Sequence, residues 1–176
     1  MNLAEQNSGA PDYYIPASAS LLERRPRTLK HDDTFAMFDH YGDLAGSAAN
    51  PEGLYHEDTR YLSLLQLQVE GRKPLLLSST VQNNNALLTV DLTNPDIYLG
   101  KTLLLARDSV HLLRSKFLWE AACYETIVAH NYSAEPCSVV VSLSFEADFR
   151  DVFEVRGHTR PARGSIERLM WGRNRI

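Results

Sequence analysis

The sequence predicts an all-β protein, a large antiparallel sandwich of two sheets, and three observations carry that expectation. Several runs alternate apolar and polar side chains with the two-residue period of a strand. The plainest is 138–149, where Val139, Val141, Leu143 and Phe145 fall on one face and Val140, Ser142, Ser144 and Glu146 on the other. Turn-forming clusters separate the runs, among them Asn83-Asn84-Asn85, Asn94-Pro95-Asp96 and Ser133-Ala134-Glu135-Pro136. No segment sustains the roughly 3.6-residue period of an amphipathic helix.

The elements follow in order. Residues 1–27 mix Asn, Ser, Ala, Pro and charges without periodicity and are expected to form a flexible arm, with the domain over 28–176. Phe35-Ala36-Met37-Phe38 reads as a strand entering a turn at Asp39-His40-Tyr41-Gly42-Asp43, half of a short hairpin. Residues 47–53 read as a loop. Residues 60–69 form one long strand, and after the turn Glu70-Gly71-Arg72-Lys73 the run 74–81 is expected to return antiparallel beside it. A strand over 86–92 follows the asparagine turn, then strands over 102–105, 110–119, 122–131 and 138–149. Segments 107–113 and 147–153 leave room for a brief coil or a single turn.

The last two long runs are expected to pair as a hairpin, with Tyr132 opposite Cys137, Val128 opposite Val141 and Thr126 opposite Leu143. Cys123 then lies near Phe145 or Glu146, beyond the ~7 Å Cα separation from Cys137 that a disulfide tolerates.

A chain of 176 residues is sized for one domain with a sizeable core. Its apolar share of 44% and charged share of 23% are ordinary for a soluble globular protein. The net charge of −4 excludes the basic footprint of a nucleic-acid partner. No apolar run nears the ~20 residues of a membrane span. The opening MNLAEQNSGAPDYY lacks the basic-then-apolar layout of a secretion signal, so the expected location is cytoplasmic. His31, His40, His56, His111, His130 and His158 are dispersed, and two cysteines cannot complete a zinc site. Neither a metal nor a cofactor is expected. From Arg156 to the end Glu167 is the only acid among several arginines, a pattern read as further sandwich rather than a nucleic-acid tail.

Five segments in order carry a resemblance: Leu29-Lys30-His31-Asp32-Asp33-Thr34-Phe35-Ala36-Met37-Phe38-Asp39; Gly53-Leu54-Tyr55-His56 with Asp58-Thr59-Arg60-Tyr61-Leu62-Ser63; Asn85-Ala86-Leu87-Leu88-Thr89-Val90-Asp91-Leu92-Thr93-Asn94-Pro95; Phe117-Leu118-Trp119-Glu120; and Asp148-Phe149-Arg150-Asp151-Val152-Phe153-Glu154-Val155-Arg156-Gly157. Together they resemble the N-terminal domain of bacterial glycogen-debranching-type proteins, the amylo-α-1,6-glucosidase group. The resemblance implies a supersandwich-like module preceding a helical (α/α)₆ domain that holds the catalytic carboxylates. Full-length relatives are expected to be glycoside hydrolases acting at α-1,6 branch points in carbohydrate metabolism. This chain is expected to be non-catalytic, a scaffold contacting α-glucan and packing on the helical domain. It is expected to be truncated where another strand would begin. The alternatives are a stand-alone carbohydrate-binding module and a gene fragment without function.

Two charged blocks hold the candidate sites. In His56-Glu57-Asp58-Thr59-Arg60, His56, Asp58 and Arg60 suit either hydrogen bonds to sugar hydroxyls or structure, with Asp58 capping a turn and Arg60 pairing with an acid. In the second block, Asp148, Asp151 and Glu154 suit a domain interface or a salt-bridged loop better than a glycosidase pair. Such a pair needs carboxyls at ~5–5.5 or ~6.5–9.5 Å and one raised pKa. Phe117 and Trp119 are expected in the core, with a sugar-stacking platform as the other reading. Asn83-Asn84-Asn85 is expected to turn the chain rather than present amides to a sugar.

Overall fold

The computed structural model describes residues 25–46, 50–162 and 164–165. They form an all-β sandwich. Strands β1 (Arg27–His31) and β2 (Thr34–Phe38) pair as a hairpin about Asp32-Asp33. Next come β3 (Leu44–Ala45), β4 (Gly53–His56), β5 (Thr59–Leu62) and β6 (Leu64–Val69). They are followed by β7 (Leu75–Val81), β8 (Leu87–Thr93), β9 (Ile97–Leu99) and β10 (Thr102–Leu105). The chain then forms β11 (Val110–Trp119), β12 (Ala122–Asn131), β13 (Val141–Glu146), β14 (Arg150–Asp151) and one helical turn, α1 (Val152–Val155).

One layer is the sheet β12-β11-β8-β7. The other is built from β1-β2-β4-β5-β14 and β13-β6-β3, with β9-β10 as a small ribbon. The core lies between the layers, where Leu88, Val90, Leu92, Val110 and Leu112 meet Leu29, Phe38, Leu44, Leu67 and Val69. Strict alternation puts these side chains on one face of each strand.

Several pairings differ from the sequence reading. Residues 59–69 are extended, but the strand breaks at Ser63, and β5 and β6 belong to different sheets. β7 does not return beside β6, because β3 and β13 already occupy both edges of β6. Only a bridge between Val69 and Arg72 closes that turn, and β7 crosses to pair with β8. The expected hairpin of 122–131 with 138–149 does not form. β12 pairs with β11, through a two-residue turn in which Glu120 and Ala121 both have positive φ. That geometry matches the strand twist. Val128 thus faces Leu113, and Val141 faces Val69. The Ser133–Pro136 loop carries the chain between layers instead of turning it back. Cys123 and Cys137 are both free, Cys123 on β12 and Cys137 in the segment that crosses.

The turn at Asp39–Asp43 forms, but β3 leaves it for β6 rather than returning along β2. β4 and β9 form where no strand was expected, and Arg27, the last residue of the expected arm, opens β1; residues 1–24 lie outside the described set, as do 166–176 with most of the arginine-rich end. Val141, Leu143 and Phe145 point to the core side but stay 38–49% exposed. β13 is an edge strand, so its neighbours flank it on one side only.

Candidate functional site

The first block is a hairpin. Glu57 and Asp58 both have positive φ and join β4 to β5, with His56 opposite Thr59. Both acids are exposed, so Asp58 contributes backbone, not a side-chain cap: its carbonyl accepts from Val152 N at 2.9 Å. His56 Nδ1 lies 2.8 Å from Thr34 Oγ1 on the neighbouring strand, which fixes the ring against β2.

Two residues on, the β alternation turns Arg60 inward, where it is 0% exposed. Its guanidinium grips Asp148 with both ends, Nε to Oδ1 at 3.1 Å and Nη2 to Oδ2 at 2.5 Å. Nη1 donates to the carbonyls of Asn50 at 2.8 Å and Glu52 at 3.1 Å. Burial works to lower the Arg60 pKa, but the Asp148 hydrogen bonds and charge outweigh it and hold it above its ordinary value. Gly53 makes room for this side chain: a Cβ there would press into Arg60 Cδ. Arg60 lies opposite Arg150 in the β5–β14 pair, and Arg150 Nε approaches Asp148 Oδ2 at 3.4 Å. The two blocks, 88 residues apart in sequence, are thus one structure.

Asp151 caps α1. Its Oδ1 accepts from Phe153 N and Glu154 N, both at 2.8 Å, and the Glu154 carboxylate accepts from Asp151 N at 3.2 Å. This capping box satisfies donors that a helix start leaves bare. Arg160 adds an ion pair to Asp151 at 2.7 Å. Asp148, Asp151 and Glu154 are therefore committed to a guanidinium, a helix cap and an arginine. Tyr61 and Phe149 meet edge to face at 5.8 Å beside them and form an exposed rim.

A second charged group lies outside both sequence blocks. Arg114 and Lys116 lie on the inner face of β11, in phase with Val110, Leu112 and Leu118. Arg114 pairs with Glu125 at 2.7 Å and Asp43 at 2.6 Å, and Lys116 Nζ lies 2.5 Å from Glu125. Burial, then repulsion by Arg114, lowers the Lys116 pKa to about 8. Burial also raises Asp43, while Lys116 and Arg114 hold Glu125 below its usual range despite its own burial. The signal was available: two cations in phase with apolar neighbours mark a buried ion network.

Phe117 and Trp119 are not core residues. They stand on the outer face of the four-stranded sheet, 41% and 53% exposed. Asn83–Asn85 does turn the chain, between β7 and β8. Among the described residues no group of three His, Cys, Asp or Glu is placed to hold a metal ion, and no helix is long and apolar enough to cross a membrane.

A family model described as the N-terminal domain of (some) glycogen debranching enzymes matches residues 29–176. No curated protein and no solved structure matches the chain.

Proposed function

We propose a role for this chain from one premise: it belongs to the family of N-terminal domains of (some) glycogen debranching enzymes. The role is that of a non-catalytic module that contacts α-glucan and works beside a separate helical (α/α)₆ catalytic domain. The observation that carries this is the commitment of the candidate carboxylates. A glycosidase needs one carboxyl free to donate a proton and another free to attack or to activate water. Asp148 is held by Arg60 at both oxygens, and Asp151 and Glu154 form a capping box. Acids engaged in this way position backbone. The exposed core-side residues of β13 suit packing against another domain, since apolar patches left open on a soluble surface mark interaction sites.

Release of reducing sugar from glycogen and pullulan by the full chain is the test. No release is expected. Release that disappears in Asp151→Asn, with the melting midpoint unchanged, would overturn the non-catalytic role.

A further inference from the structure

We infer that the outer face of the β12-β11-β8-β7 sheet is the α-glucan platform of this domain; the inference rests on the glucan contact proposed above. Strand register places Thr80, Thr89, Ser115 and Thr126 directly opposite one another, one on each strand. Residues opposite each other share a face. The four hydroxyls thus form a transverse row spanning three strand spacings, about 14 Å. None of the four has a hydrogen-bond partner among the described residues. They are donors and acceptors facing outward and unspent.

An aromatic row lies beside them. Phe117 is two residues beyond Ser115, and Tyr124 two residues before Thr126, so the rows are about 7 Å apart. Phe117 and Tyr124 are cross-strand neighbours whose rings stack at 5.0 Å and 11°. Both are more than two-fifths exposed, and Trp119 stands one rank further along β11, opposite Ala122, with its ring against His31. A pyranose ring has an apolar face of C–H groups and a rim of hydroxyls. A chain of such rings needs an apolar strip with hydrogen-bonding groups alongside, and this face supplies both at that spacing.

Charge and polarity decide the occupant. The one carboxylate on this face, Asp91, is engaged by Ser78 at 2.6 Å and His111 at 3.0 Å. The remaining outer-face positions of the four strands hold no lysine, arginine, aspartate or glutamate, which suits a neutral polymer rather than an acidic or basic peptide. A protein partner is disfavoured by the hydroxyl row, which crosses the middle of the face where a protein interface has its apolar centre.

The experiment is affinity electrophoresis of the full chain in glycogen, with calorimetry against maltoheptaose. The variants are Tyr124→Ala, Phe117→Ala and the near-isosteric Thr126→Val, which keeps the fold testable if an aromatic variant does not fold. Tyr61→Ala, on the other layer, is the control. Melting midpoints report folding. The expected result is binding by the parent, with Tyr124→Ala or Phe117→Ala weakening it about tenfold, the size of one lost aromatic contact. Thr126→Val should weaken it less, and Tyr61→Ala not at all. Binding by the parent that all three outer-face variants retain would overturn this site and leave the glucan role standing. No retardation of the parent in glycogen would overturn both.

Discussion

Replacing Arg60 with methionine should unfold a large part of the population. The side chain is fully buried and makes four hydrogen bonds, two to Asp148 and two to the carbonyls of Asn50 and Glu52. Methionine refills much of the volume, so the loss isolates the polar part. It leaves the Asp148 carboxylate, only 23% exposed, with Arg150 at the edge of ion-pair range as its remaining cation. Breaking one side of a buried pair costs about 3–5 kcal/mol. The two carbonyls lie in partly exposed segments, so water recovers part of their share. The expected loss is about 4 kcal/mol, against roughly 5–15 kcal/mol for a whole domain. With a urea m-value of about 2 kcal/mol/M, the midpoint should fall by about 2 M. Asp148→Asn should cost a similar amount, because it strands a buried cation. The double variant should cost less than the sum, by a coupling of about 1–3 kcal/mol. Urea denaturation at pH 7, followed by far-UV circular dichroism, measures all three. If Arg60→Met lies within about 0.5 kcal/mol of the parent, the range of a neutral surface change, the joint between the two blocks does not hold the domain.

Two further outcomes follow from the geometry. Lys116 has its pKa lowered from 10.5 to about 8, so the unfolded chain binds more protons than the folded one between those values. The lysine's penalty of about 3 kcal/mol is present below pH 8 and fades as pH rises to 10.5. Cys123 works the other way, since burial raises its pKa and the unfolded chain sheds that proton first. In a Cys123→Ala background, Lys116→Met should therefore change stability relative to its parent by about 3 kcal/mol between pH 7.5 and 10.5. A pH-independent difference would refute the shift. Asp58→Gly should stabilise by about 0.5–1 kcal/mol, because Asp58 holds φ +62° in a two-residue turn where glycine meets no Cβ penalty. A lower melting midpoint for that variant would mean the exposed carboxylate has a partner.

For β11 and β12 the extents were legible, but the run 60–69 splits at Ser63, 138–149 shortens to 141–146, and the partners were not legible. Alternation sets where β11 and β12 begin and end, because a period of two survives in the sequence whatever the strand pairs with. It carries no information on which edge meets which. The run around Val141 reads equally well beside β12 or β6, and the choice depends on which edges the rest of the fold leaves free. The same holds at the site. The polar blocks around Arg60 and Asp148 stand out separately, yet nothing local says that they meet. Burial of an alternating face is also a tertiary property: Leu143 and Phe145 have the pattern of core residues and stand at an open edge. Phe117 and Trp119 carry the opposite lesson, since aromatic strands on a two-sided sheet can face out.

The two ion networks explain how a fold with such ambiguous strands keeps one register. A buried ion pair adds little net stability compared with apolar packing, but it makes the wrong arrangement expensive. Slipping β11 by one residue would turn Arg114 and Lys116 out to the open face and bring Ser115 and Phe117 inward. Asp43 and Glu125 would then be left buried without their cations. A slip of β5 against β14 would likewise part Arg60 from Asp148 and press its side chain away from the space that Gly53 leaves. The apolar core also opposes a slip of β11, which would turn Val110, Leu112 and Leu118 outward, but it holds β12 and β13 weakly, because they are exposed on much of both faces and lose little by sliding. The charges therefore do their work as discriminators. One network locks the two layers together through β11 and the Asp39–Asp43 turn. The other locks the first charged block to the last described strand. Holding β11 in place also holds the hydroxyl and aromatic rows in line on its outer face, so the buried charges on one side of the strand set the alignment of the platform on the other.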